Sequence, residues 1–320
     1  MSAPARPVHL PVMTAEALAH LAPRPGGVYC DATVGCGGHA EQILLASAPD
    51  GRLIGVDCDP EALVIARERL RPFGRRFLPL HGRFGDLPAL LDSVGVGQVD
   101  GILADVGVCS AQLERPERGF SFQRAGPIDM RMDPGQGETA LELILRLDEK
   151  ELADILHAYG QERRARAIAR ALRRAAAAGT LTDTLALAEV AGRAAGGRRG
   201  PRDPATRTFQ ALRIAVNDEL RQLDQLLLAA PRCLRPGGRL VLLAFHSLED
   251  RIIKRRLREL STSSGGPPPL RLLTPRPVWP SAEEVATNPR ARSARLRAAA
   301  RTEQGAELAF HTSGGGSHAP

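Results

Sequence analysis

Short apolar runs alternate along this chain with longer segments of helical period, and that alternation predicts a wound α/β fold. Val28-Tyr29-Cys30, Leu53 to Asp57, Val99 to Asp105 and Arg239 to Phe245 each read as a buried strand. Phe77-Leu78-Pro79-Leu80-His81 is a further strand, and Pro79 assigns it to a place where no ladder donor is needed. Between the strands, Ala40 to Leu45 reads as a helix. Leu63, Ala66 and Leu70 repeat at helical spacing behind Asp59-Pro60, a capping residue and a first-turn proline. Thr14 is expected to cap a short helix through Leu18. Farther on, Leu141 to Leu147, Glu151 to Ala158 and Gln161 to Ala178 predict helices, the last one stopping at Gly179. A further helix is expected with Phe209, Leu212, Val216, Leu220, Leu223 and Leu227 as its buried stripe. Pro236-Gly237-Gly238 is a tight turn, after which the strand at Arg239 resumes the sheet. The helical stretch is therefore an insertion within one sheet-bearing domain.

The first strand runs into Asp31-Ala32-Thr33-Val34-Gly35-Cys36-Gly37-Gly38-His39 and then a helix. Strand, glycine turn and helix let a backbone approach a nucleotide-like ligand closely, because a Cβ at the turn would block it. Asp57 closes the second strand and is placed to take both hydroxyls of a ribose. Asp105 closes the strand from Val99. In a wound sheet ligands sit beyond the carboxyl ends of the strands, so Asp31, Asp57 and Asp105 gather on one rim. Gly35, Gly37 and Ala40 also fit a dinucleotide pattern, so a nicotinamide coenzyme competes with S-adenosylmethionine. Asp31 favours the second, since a carboxylate beside the turn repels a pyrophosphate and attracts an ammonium. Phe84, after the Gly82-Arg83 turn, is placed either against an adenine or in the core.

Composition adds a partner. The net charge is +7 over 320 residues, and apart from Lys150 and Lys254 every cation of the side-chain set is arginine. Arginine binds phosphate, and six arginines lie between Arg163 and Arg174 with little acid among them, which points to RNA contact or to a solvated face. Aromatics make up only 3%, so the core is aliphatic and alanine-rich. The five cysteines are odd in number and lack C-x-x-C spacing, which argues against a disulfide framework and a zinc site. No apolar run approaches a bilayer-spanning length, and no signal-peptide core opens the chain. The expectations are a cytoplasmic protein, no membrane, no metal and no obligate protein partner.

Val106 to Pro134 has no helical or strand period. A loop of this length in a globular domain is usually functional, and Phe120, Phe122, Ile128, Met130 and Met132 give it apolar anchors. Residues 196–204 and 262–269 read as flexible breaks. Ser247 and Asp250 suggest a capping box opening a basic helix.

Several stretches together resemble one family. They are His9-Leu10-Pro11-Val12, Asp31 to His39, Asp105-Val106-Gly107-Val108 with Gln112-Leu113, Glu117 to Phe122, Gly126 to Pro134, Tyr159 to Arg163, Pro204 to Gln210, Phe245 to Arg251 and Asn288 to Ser293. In this order they resemble the bacterial ribosomal RNA small-subunit methyltransferase H (MraW) family. The resemblance implies a class I S-adenosylmethionine-dependent methyltransferase with a Rossmann-like sheet and an inserted all-helical domain. The expected divisions are 1–112 and 215–310 for the methyltransferase domain, 113–214 for the insertion, and 311–320 for a disordered tail. It implies N4-methylation of a decoding-region cytidine of 16S rRNA in the small ribosomal subunit. The family's cofactor contacts carry over to Gly37, Gly38, His39, Asp57, Phe84, Asp105 and Gln112, beside the Asp31 argued above. Cys109 stands where the family commonly has serine, Ala104 where a larger apolar residue is usual, and Asp203 where histidine is common.

The exocyclic nitrogen of cytosine is a poor nucleophile, because its lone pair is delocalised. An acceptor for its N–H, held in line with the methyl donor, would localise that pair. Asp105 is the first candidate acceptor and His246 the second; helix-entry packing is the alternative for His246. Phe120 or Phe122 is placed to receive an unstacked base. Three rivals stand beside this reading. A cytosine C5 methyltransferase would use Cys109 as nucleophile. A silent RNA-binding or assembly factor would have lost the donor site. A nicotinamide oxidoreductase is disfavoured by Asp31.

Overall fold

In the computed structural model, which describes residues 11–197, 203–262 and 266–303, seven strands form one sheet. They are β1 (Val28–Asp31), β2 (Arg52–Asp57), β3 (Phe77–His81), β4 (Val99–Asp105), β5 (Leu234–Ala244), β6 (Leu270–Leu272) and β7 (Arg295–Arg301). Their order is β3-β2-β1-β4-β5-β7-β6. β1 to β5 are mutually parallel, and β7 runs antiparallel to both its neighbours. Parallel strands wound outward from β1 and one reversed strand slotted between β5 and β6 make this a class I methyltransferase sheet. Pro79 lies in β3, an edge of the sheet, where a missing donor leaves no partner unpaired.

Strand residues alternate between two cores. Tyr29, Leu53, Leu103, Val241 and Leu243 face one side, packed with α1 (Thr14–Leu21), α2 (Gly38–Ala46) and α3 (Pro60–Leu70). Cys30, Ile54, Val56, Ile102 and Leu242 face the other, beneath α4 (Leu87–Ser93), α11 (Glu219–Cys233) and α12 (Ser247–Leu260). Burial on both faces explains why these strands read as continuous apolar runs.

The described residues divide into two compact units. One holds the sheet, and the other is the insertion, Val108–Glu219. The insertion begins and ends a few residues outside the expected 113–214. It carries α5 (Ser110–Glu114), α6 (Ala140–Arg146), α7 (Glu149–Gly160), α8 (Ala165–Ala177), α9 (Thr184–Ala194) and α10 (Thr206–Asn217). The loop before α6 is held by close backbone approaches. A Cβ on Gly126 would lie 1.8 Å from the Pro116 carbonyl oxygen, and one on Gly119 lies 2.3 Å from that of Pro127. Asn217 donates to the Met130 carbonyl and accepts from Met132 N–H, so the loop is pinned to the last helix of its own unit.

Several expectations need correction. Thr14 is the first helical residue, and Met13 in a left-handed conformation takes the cap position. His246, not Ser247, caps α12: its ring accepts from Glu249 N–H, and Glu249 reaches back to the His246 N–H. α8 begins at Ala165, because Gln161 turns left-handed and ends α7 first. Pro236-Gly237-Gly238 lies inside β5 as an irregularity where the register with β4 shifts. β6 and β7 were not anticipated. Phe120 is buried, and the half-buried Phe122 packs on Phe209 with centroids 4.7 Å apart. His9, Leu10, the tail at 311–320 and parts of the two expected breaks lie outside the described residues.

Candidate active site

The carboxyl ends of β1, β2 and β4 bring the three predicted acids together. Asp31 is paired in register with Gly55 and Leu103, so it sits between the ends of β2 and β4. It is almost wholly buried, and its Oδ1 accepts Thr33 N–H at 3.2 Å. Burial raises its carboxyl to about 7; His39 and the Thr33 bond pull it down, while Asp105 and Asp57 push it up. Asp57 is raised to about 6, again mainly by burial, against the backbone N–H groups it accepts from Asp59 (2.9 Å) and Gly35 (2.8 Å). The Asp57 carboxylate therefore clamps the glycine turn as well as facing the rim. Each of its oxygens has a second lone pair for a ligand hydroxyl.

The turn is built for close approach. Gly35 and Gly37 have positive φ, and a Cβ on Gly37 would also press on Leu70 at 3.3 Å. A Cβ on Gly38, the first residue of α2, would meet Pro11 at 3.1 Å. Thr33 ties the turn to the next strand, its hydroxyl accepting Asp105 N–H at 2.7 Å.

His39 projects from the first turn of α2 into this acidic corner and is buried. Its Nε2 stands 3.5 Å from Asp105 Oδ2, an ion-pair distance without hydrogen-bond geometry. Burial alone would lower its pKa, but Asp105, Asp31 and Glu284 together raise it. Glu284 comes from α13 (Ala282–Thr287), and its Oε1 also accepts Met13 N–H at 2.6 Å. Sequence reading missed Thr33 and Glu284. Only the spacing of Thr33 two residues after Asp31 hinted at a turn role, and nothing local marks Glu284.

Asp105 Oδ1 is buried and has no hydrogen-bond partner among the described residues. An unpaired buried carboxylate oxygen is unfavourable by a few kcal/mol unless a ligand donates to it. That orphan acceptor, the glycine cradle and the surplus of carboxylates fit a ligand that carries hydroxyls and positive charge, and they do not fit a pyrophosphate. Phe84 opens a turn after β3, half-buried and packed partly against the core, which leaves one side for a ring.

His246 follows β5 on the same rim. Its Nε2 is 3.0 Å from Glu249 Oε1, and Glu249 is fully buried. The ring Nδ1 accepts Glu249 N–H at the entry of α12, while Nε2 makes no hydrogen bond among the described residues. Gln112 lies in the insertion, where its Oε1 accepts Cys109 N–H at 3.0 Å and caps α5. Among the described residues, no group of His, Cys, Asp and Glu side chains is placed to hold a metal ion, and no helix is long and apolar enough to cross a membrane.

Comparison with known proteins identifies the family. The model of the MraW methylase family matches residues 6–302. A ribosomal RNA small subunit methyltransferase H of Sorangium cellulosum is 54% identical over 294 residues, covering 92% of this chain and 90% of that protein. One from Geobacter sulfurreducens is 52% identical over 304 residues, covering 91% and 98%. Among solved structures, an rRNA methylase from Streptococcus thermophilus aligns with a TM-score of 0.42 at 10% identity, over 94% of this chain and 100% of that one.

Proposed function

This chain belongs to the MraW methylase family, and we propose that it transfers a methyl group from S-adenosylmethionine to the exocyclic N4 of a decoding-region cytidine of 16S rRNA. Its partner is the small ribosomal subunit, met in the cytoplasm. The observation that carries the reading is the glycine corner ringed by Asp31, Asp57 and Asp105, with one carboxylate oxygen left unpaired.

S-adenosylmethionine, when bound, supplies an electrophilic methyl on a sulfonium. The rest is the work of this chain's residues. Gly37 and Gly38 let the backbone approach the donor, Asp57 holds the ribose, and Phe84 offers a face to the adenine. Asp31 and His39 set the charge on the corner, and the ionised Asp31 favours the donor's ammonium. Gln112 is carried as a further contact on the family resemblance alone. Asp105 is the first candidate to accept the amino proton, because its Oδ1 is buried, unpaired and at a strand end. His246 is the second, with a ring that already serves the helix cap.

Asp105→Asn is expected to lower turnover about 100-fold or more while RNA affinity changes little. Full turnover in that variant, measured at saturating donor, would remove Asp105 from the chemistry. The reaction itself is tested by supplying labelled donor to purified small subunits and to naked rRNA, then digesting the product to nucleosides. N4-methylcytidine at a single site is the expected product. A C5-methylated base would instead implicate Cys109 as nucleophile, and no label in either RNA would end the proposal.

A further inference from the structure

The chain's single tryptophan, Trp279, is exposed over 53% of its surface, unusual for so large an apolar side chain in a protein with few aromatics. Its position in the sheet makes that exposure informative. Asp105 pairs with Leu243 of β5, Leu243 pairs with Leu296 of β7, and Leu296 bridges Val278. These four residues form one row across the sheet. Trp279 is the next residue toward the rim, directly across from Arg295, which itself pairs with Ala244 at the end of β5. Three strand spacings of about 4.8 Å put Trp279 roughly 15 Å along the rim from Asp105.

The indole is held rigidly. Pro277 and Pro280 flank the dipeptide, and Val278 exchanges both backbone hydrogen bonds with Leu296. The Arg295 guanidinium lies over one face of the ring, 4.9 Å from the centroid. That guanidinium is fixed in turn by Asp250 at 3.0 Å, which also binds Arg297 at 2.7 Å. One face of the indole is thus backed by a cation. Arg276 and Arg292, three residues away from Trp279 and from Arg295, are exposed and unpaired among the described residues. The nearby acids are Asp250, committed to those two arginines, Glu284, which accepts Met13 N–H, and the exposed Glu283.

A rigid aromatic face, a stacked guanidinium and loose arginines are the parts from which proteins build platforms for unstacked bases. We infer that Trp279 is a stacking platform for a nucleobase flanking the target, and that it guides a single RNA strand along the rim toward Asp105. The inference rests on the RNA-methylation reading and adds a substrate-binding residue that reading does not contain. Charge favours RNA over a protein partner: Arg295 backs the ring, and of the unpaired charged groups within four residues of Trp279 or Arg295 along the chain, Arg276 and Arg292 are cations against the single acid Glu283.

Because Trp279 is the only tryptophan, its fluorescence reports the contact in the intact protein. Titration with a short single-stranded RNA of mixed sequence is expected to quench it, and inorganic polyphosphate is not. Trp279→Ala is expected to raise the KM for RNA about tenfold, within the five- to 150-fold range of lost base stacking, with kcat and donor affinity unchanged. Trp279→Phe should recover most of the loss, and thermal melting should be the same in all three proteins. An unchanged RNA KM in Trp279→Ala would overturn the platform. So would equal quenching by polyphosphate, or Trp279-dependent self-association without RNA quenching. If the wild type binds RNA and quenches yet methylates nothing, the methylation reading fails while the platform stands.

Discussion

Asp31 is the residue at which stability and function oppose one another. Its carboxyl titrates near 7 in the folded protein and near 3.8 when unfolded, chiefly because it is buried. Between those values the folded state holds the extra proton, so stability falls as pH rises from about 4 through 7. Asp57, raised to about 6, acts in the same direction. Asp31→Asn keeps an oxygen for Thr33 N–H and removes the ionisation. It is therefore expected to stabilise the ligand-free protein at pH 8 by on the order of a few kcal/mol, with a smaller gain at pH 5. Thermal melts of both proteins at the two pH values check this, and a wild type more stable than the variant at pH 8 would contradict it. The same three acids were legible in the sequence, because each closes a strand whose apolar run ends visibly. Thr33 and Glu284 were not. Their roles depend on a strand brought alongside from 72 residues away and on a helix contact 271 residues away.

At the scale of elements, the strand, glycine turn and α2 form the device that brings backbone to ligand. Gly37→Ala meets both a positive φ of 81° and Leu70 at 3.3 Å. The left-handed conformation alone is unfavourable for alanine by about 1–2 kcal/mol. The variant is expected to melt a few degrees lower and to lose donor affinity, as calorimetry and melting would show; unchanged values for both would mean the turn tolerates a Cβ. The helices α6, α7 and α8 were readable from their apolar spacing to within a few residues, whereas the one helix expected through Phe209 to Leu227 is broken by a left-handed Asp218 into α10 and α11, and α5 lies in a stretch with no helical period. β7 was not, for a physical reason. Its sequence, Arg295 to Arg301, is alanine and arginine with one leucine, all good helix formers. Only the gap between β5 and β6 makes it a strand, where small side chains fit between two cores. The cap of α12 was misplaced by one residue, because a histidine took the position that serine usually holds.

At the scale of the molecule, the sheet unit carries the three strand-end acids and the insertion is all-helical, with an arginine-rich face on α8. Part of the arginine face on α8 is already committed. Arg170 pairs with Glu149, and Arg173 donates to the Ile144 and Leu145 carbonyls. Arg166 and Arg174 of α8, and Arg163 in the turn just before it, are exposed and unpaired among the described residues. Replacing these three with glutamine is expected to weaken RNA binding and reduce its salt slope by up to about 2, with donor affinity unchanged. An unaltered salt slope would make that face merely solvated. The insertion's place in the chain was legible because an apolar strand run resumes after the helices.

The central claim is that a carboxylate-lined glycine corner selects a cationic methyl donor. Calorimetric titration of the protein with S-adenosylmethionine, from pH 5.5 to 8.5 and beside a nicotinamide dinucleotide, tests it most directly. One donor bound per chain is expected, tightening as pH rises through about 7 while Asp31 ionises, with no heat from the dinucleotide. Equal binding of the dinucleotide, or donor affinity that falls as Asp31 ionises, would contradict the account.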